Sequence, residues 1–214
     1  MITDQVVSNF ALFGCGLVYL AAILRWSWCR QYPLAVRWGV AIVGVAALVV
    51  PMSGESLLIL IRGFSGDFSV GTLLLCSISI ASILFVGFDF KGVISLPNTR
   101  DRQLMLMVTV IMSLVLYPFA LGWGAVDTYS WGYGNLGFAL GLLIVCLAAW
   151  WTRFYLTVIW LSLSVVAYQL RIYESNNLWD YLIDPFLMLY AMGYLVSFSV
   201  SKQMKSKLPN VNQH

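Results

Sequence analysis

Charge is scarce in this chain. Only 10% of its 214 residues are Asp, Glu, Lys or Arg, while 61% are hydrophobic. Ordinary soluble domains carry about 25% charged and roughly 45–50% apolar residues. Surface-to-volume scaling limits how much apolar surface a soluble fold of this size can bury, so lipid is the natural solvent for the excess. Histidine is nearly missing: the one His is His214, which excludes a histidine-based metal site and an internal histidine proton relay. The four cysteines, Cys15, Cys29, Cys76 and Cys146, form no CxxC pair and read as small buried apolar residues rather than a disulfide framework. No Lys or Arg occurs in residues 1–9, so the basic n-region of a secretory signal is lacking. Leu12-Phe13-Gly14-Cys15 resembles a lipoprotein cleavage site only faintly, and the first apolar stretch is expected to be a retained transmembrane helix. No P-loop, HExxH, GxSxG or Cys/His constellation is present. No basic face interleaves with aromatics, so nucleic acid is not an expected partner. Neither a metal nor a cofactor is expected.

What the sequence does contain is seven apolar runs near the length that crosses a ~30 Å hydrocarbon core. They cover 8–26, 35–52, 69–88, 103–122, 135–152, 154–171 and 184–201. Start signals precede several: Asp67 and Ser69, Asn98 and Thr99, Asn135, and Asp184-Pro185, where Asp can cap and Pro occupies the first helical position. The expected fold is all-α, a polytopic transmembrane bundle of about seven helices. Residues 1–201 form the single bundle and 202–214 a short polar cytoplasmic tail. The apolar but short segment 54–66 is expected to lie as an interfacial or re-entrant piece on the outer face.

Charge placement fixes an orientation. If the seven runs alternate in direction, one side receives Arg25, Arg30, Arg37, Lys91, Arg100, Arg102, Arg153, Lys202, Lys205 and Lys207, ten of the twelve basic residues. The other side keeps only Arg62 and Arg171 but holds seven of the nine carboxylates. The positive-inside rule places the ten in the cytoplasm, the N-terminus outside and the C-terminus inside. Anionic lipids are expected at the cytoplasmic face, where each basic residue is worth roughly 1 kcal/mol. Short loops and small size suggest a multi-pass protein of a bacterial inner (plasma) membrane.

No ionisable residue lies near the middle of any run. That weighs against a proton-coupled pump and excludes a retinal Schiff base, which needs a lysine at membrane depth. Polar residues gather instead in three loops at the expected outer mouth. The functional reading makes Arg62 and Arg171 holders of a phosphate or carboxylate, since guanidinium forks match those groups. Asp67, Asp127, Glu174 and Asp180 are candidate acids or bases. Trp131, Tyr133, Asn177 and Trp179 are candidate ligand contacts, with the aromatics stacking on a sugar or headgroup. The plainer reading is an interfacial belt of Trp and Tyr with carboxylates capping helix ends and Arg62 paired to Asp67. Gly137 and Gly141 have the small-xxx-small spacing of close helix packing.

Three functions follow. The chain is first read as a non-catalytic subunit or accessory protein with a ligand- or partner-binding outer mouth, docking a membrane-protein partner. The second is an enzyme acting on a lipid-linked or phosphate-bearing envelope substrate at the outer leaflet. The third is a lipid or small-solute transporter. The enzyme needs the outer charged residues to converge on one cavity. The transporter needs a polar cavity reaching the midplane.

Overall fold

In the computed structural model, residues 4–26, 31–52, 55–85 and 98–207 are described. Arg30, Lys91, Asp89, Cys29, His214 and the tail beyond 207 lie outside them. The described chain is helical throughout, apart from a two-residue antiparallel pairing of β1 (Pro51–Met52) with β2 (Glu55–Ser56). Nine α-helices are found among the described residues. Seven overlap the seven apolar runs: α1 (Asp4–Trp26), α2 (Leu34–Val49), α4 (Val70–Leu84), α5 (Thr99–Ala120), α6 (Leu136–Trp151), α7 (Tyr155–Gln169) and α9 (Pro185–Lys207). The other two are short, α3 (Leu57–Ser65) and α8 (Leu178–Leu182), and a 3-10 turn spans Tyr129–Gly132.

Side-chain caps set the helix starts. Ser56, Ser69, Asn98, Asn135 and Asn177 each accept from a backbone N–H in the first turn of α3, α4, α5, α6 and α8. Asp184 Oδ1 accepts from Leu187 N at 2.7 Å, with Pro185 opening α9. Asn98 moves the start of α5 four residues ahead of the expected 103, to Thr99. At its far end α9 runs to Lys207, past the expected tail boundary at 202.

Two ends are closed by the same device. At the end of α6, Arg153 N donates to Trp150 O and Phe154 N to Ala149 O. At the end of α7, Arg171 N donates to Tyr168 O and Ile172 N to Ala167 O. This is the Schellman arrangement, whose left-handed residue is usually glycine. Here it is arginine both times, with φ 63° at Arg153 and 50° at Arg171.

Long-range bonds show which ends meet. Asp101 Oδ2 accepts from Leu156 N at 2.8 Å, joining the starts of α5 and α7. Arg37 Nη1 donates to Ile83 O at 3.0 Å, joining the start of α2 to the end of α4. At the opposite end, Asp184 joins the starts of α4 and α9, and Arg62 reaches Ser8 near the start of α1. Helices α1, α4, α6 and α9 therefore run one way and α2, α5 and α7 the other. One end of the bundle carries Arg25, Arg37, Arg100, Arg102 and Arg153. The other carries Arg62, Arg171 and the acidic loops.

The larger core lies among α5, α7, α8 and α9, where Met105, Leu106, Trp160, Tyr181 and Leu182 are fully buried. A smaller one joins α1, α2 and α4 through Leu24, Ala41 and Ile83. Gly71 sits where a Cβ would come within 2.6 Å of Leu187 Cδ2 and 2.7 Å of Trp160 Nε1, so α4 crosses the α7–α9 seam only because that position is bare.

Two stretches, Val7–Trp26 and Thr99–Ala120, are long and apolar enough to cross a membrane on length and composition alone. Among the described residues the other expected spans do not meet that test. Helices α2, α4, α6 and α7 are apolar but only 15–16 residues long; the Schellman turns at Arg153 and Arg171 end α6 and α7 inside their apolar runs. Segment 54–66 contains the amphipathic α3, with no buried residue and with Ile59, Leu60 and Phe64 exposed.

Candidate functional site

The residues expected at the outer mouth do lie at one end of the bundle, but they divide into separate groups. The first is built on Arg62, in the last turn of α3. Its Nε donates to Asp67 Oδ1 at 2.8 Å and its Nη2 to Asp67 Oδ2 at 3.4 Å and Glu174 Oε1 at 3.1 Å. Its Nη1 donates to Ser8 Oγ at 3.3 Å. The hydrogen bond to Asp67 holds the guanidinium above its ordinary pKa against the opposing effect of burial. Each guanidinium nitrogen has a protein acceptor, so Arg62, Asp67 and Glu174 form a clasp across α1, α3 and the loop after α7. The Glu174 arm is the weak one, since that side chain is 72% exposed.

The second group locks loop 121–135 onto α8. Asn177 is fully buried. Its Oδ1 accepts from Trp179 N at 3.0 Å and its Nδ2 donates to Tyr129 O at 2.9 Å. Trp179 Nε1 donates to Thr128 O at 3.0 Å, and its ring lies 4.4 Å from that of Phe138. Gly132 must be glycine here, because a Cβ would occupy the position of Asn177 Oδ1. Asp180 accepts from Tyr129 Oη at 3.1 Å and from Ser175 Oγ. Burial, and then the Asp180 charge beside it, push the Tyr129 phenol up. Asp127 Oδ1 accepts from Ser130 N at 3.1 Å and serves the 3-10 turn. Tyr173 completes the layer: its Oη donates to Phe68 O at 2.7 Å, and its own N–H donates to Tyr181 Oη at 3.2 Å. Burial raises the pKa of both phenols.

The third group is what remains open. Arg171 and Tyr133 line a small polar cavity of about 300 Å³ with Ser175 and Asn176. That is the lower limit of ordinary ligand pockets. Tyr133 is 59% exposed, and its ring meets Tyr129 edge-on at 5.8 Å. Among the described residues Arg171 has no carboxylate partner. Trp131 stands apart, at the head of two apolar grooves flanking α6, of about 500 and 570 Å³.

Chemically, each of the carboxylates Asp67, Asp127, Glu174 and Asp180 has a protein hydrogen-bond partner, and only Asp67 and Glu174 meet at a common one, Arg62. The arrangement is suited to holding loops and to contacting a small anionic or hydroxyl-bearing group at Arg171, Tyr133 and Asn176. Among the described residues no three His, Cys, Asp or Glu stand close enough to hold a metal ion.

Two polar features escape a reading of the sequence. Asp184, 6% exposed, receives Ser69 N, Ser69 Oγ and Thr72 Oγ1 on Oδ2 in addition to its cap. Asp101 is 8% exposed, and its Oδ1 has no partner, as is also true of Gln103 Nε2 and Thr157 Oγ1 nearby in the chain's α5 and α7. Loop carboxylates in the sequence, they are interior residues in the fold. Only the Asp-Pro pair at 184–185 carries a local signal for it.

Compared with protein-family models, curated proteins and solved structures, the chain finds no match.

Proposed function

We propose that this chain is a multi-pass integral membrane protein, its acidic end outside and its basic end cytoplasmic, acting as a non-catalytic subunit or accessory protein. On this reading it resides in a bacterial inner membrane and offers its outer loop layer to a ligand or a membrane-protein partner.

One observation carries the membrane reading: α6 is inside out for water. It is apolar along its length, yet of its sixteen residues only Leu142 and Ala149 are buried. Leu140, Leu143, Ile144, Leu147 and Trp150 are each 48–67% exposed. Helix α2 repeats the pattern, with only Ala41, Gly44 and Leu48 buried. A soluble protein rarely leaves contiguous apolar faces of that size uncovered, whereas lipid solvates them. The accessory reading is supported by the outer carboxylates, which are engaged in caps and clasps, and by the side chains of Arg171 and Tyr133, which line an open cavity.

Cysteine labelling tests the topology. In a chain freed of its four native cysteines, Asn176→Cys should react with an impermeant maleimide in intact spheroplasts, and Thr152→Cys only after permeabilisation. The reverse pattern overturns the orientation. For the binding role, a photo-crosslinking residue at Tyr133 should yield a discrete adduct in cells that disappears with Arg171→Gly. No adduct, or one indifferent to Arg171, sinks that role.

A further inference from the structure

The richest unclaimed site runs from the first turns of α4 and α9 at the acidic end toward Arg25 and Arg102 of the basic end. Between α1 and α9, which flank α4 on either side, runs a groove of about 420 Å³. Small side chains leave room for it: Cys76 and Ser79 from α4 and Ala22 from α1. It extends from Thr72 to Ser79 along α4, about 10 Å of helix rise, or roughly two-thirds of a ~15 Å leaflet. Its lining is almost wholly apolar, but its mouth carries two guanidinium groups, Arg25 from the end of α1 and Arg102 from the start of α5.

The nearest carboxylate bonded to the lining is Asp184, which accepts from Thr72 at the far end of the groove. Among the described residues neither Arg25 nor Arg102 pairs with a carboxylate, in contrast to Arg62. Arg102 stands 6.0 Å over the ring centroid of Tyr194, which holds the cation in place without neutralising it. An apolar channel ending at two unpaired guanidiniums is complementary to one chemistry: an acyl chain joined to a phosphate. We infer that this groove binds one anionic phospholipid, its phosphate between Arg25 and Arg102 and an acyl chain lying along α4 toward Thr72. The inference rests on the membrane reading above and adds a defined, saturable site to it.

Native mass spectrometry of the delipidated full chain in detergent provides the test. Phosphatidylglycerol should be retained over phosphatidylcholine of the same chains by roughly thirty-fold, the ratio that about 1 kcal/mol for each of two basic residues converts to. The preference should vanish in Arg25→Gln/Arg102→Gln. Retention should also fall in Ala22→Phe, which fills the groove and keeps both charges, while Arg153→Gly, at the same end but outside the groove, keeps it. Helical circular dichroism and monodispersity confirm that each variant is folded. Equal loss in Arg153→Gly, or no loss in the double variant, overturns the site. Glycerol phosphate competing as well as the intact lipid overturns the acyl-chain half. A chain recovered without detergent in the soluble fraction defeats the membrane reading itself. A chain that sediments with membranes but shows no anionic preference defeats only this site.

Discussion

The two ends of the bundle use their polar residues in opposite ways. At the acidic end, Arg62, Asp67, Asn177, Asp180 and Asp184 bond to one another's loops and helix starts, and fully buried Trp and Tyr side chains supply further donors. At the basic end, Arg25 and Arg102 stand over an apolar groove and Asp101 keeps one oxygen unbonded. Polar density is therefore a poor guide to where a ligand sits. A crowded polar surface can be saturated by its own fold, while two unpaired cations beside an apolar trough remain available.

This contrast is open to attack by substitution, and Gly132→Ala should strike hardest. The added methyl displaces Asn177 and breaks its bonds to Trp179 N and Tyr129 O together. A loss of about 3 kcal/mol is expected, read as the unfolding midpoint in detergent. A loss under 1 kcal/mol would show that the acidic end is not a cooperative unit. Next comes Asp184→Asn, which replaces a charged acceptor of four donors and should cost about 2 kcal/mol by the same measurement.

A graded pair sharpens the comparison within the clasp. Arg62→Ala should cost about 1 kcal/mol, because Asp67 loses a two-point partner in a half-buried setting. Glu174→Ala should cost no more than about 0.3 kcal/mol, since its pair is exposed. Equal effects would refute the assignment of Asp67 as the principal partner. At the basic end the sign should reverse. Arg153→Gly relieves a left-handed arginine and should stabilise by up to about 0.5 kcal/mol, after the greater unfolded-state freedom of glycine is offset.

Much of the architecture can be read along the chain because its signals are local. Apolar runs locate all seven long helices, and Ser69, Asn98, Asn135 and Asp184 mark their starts within the first turn. The helix stops were harder to read. Arg153 and Arg171 close helices in a position where glycine is the usual signal, so the runs appear longer than the helices. Helix α8 was invisible because five residues are too few to show a period. The candidate site was legible only where partners are close in sequence, as with Arg62 and Asp67, five residues apart. Asn177 meets Tyr129 across 48 residues, and Arg25 shares a groove with Arg102 across a longer stretch still. Packing alone decides such meetings.

On the proposed membrane reading, helix length has a further consequence for the surrounding bilayer. Helices α1, α5 and α9 have 22–23 residues and rise about 33–34 Å, whereas α6 and α7 have 15–16 and rise about 22–24 Å. On the α6–α7 flank the protein is thinner than a typical hydrocarbon core. On the membrane reading proposed above, lipid beside that pair is compressed, or the pair keeps company with a thinner patch of membrane, at a cost of fractions of a kcal/mol per ångström of mismatch.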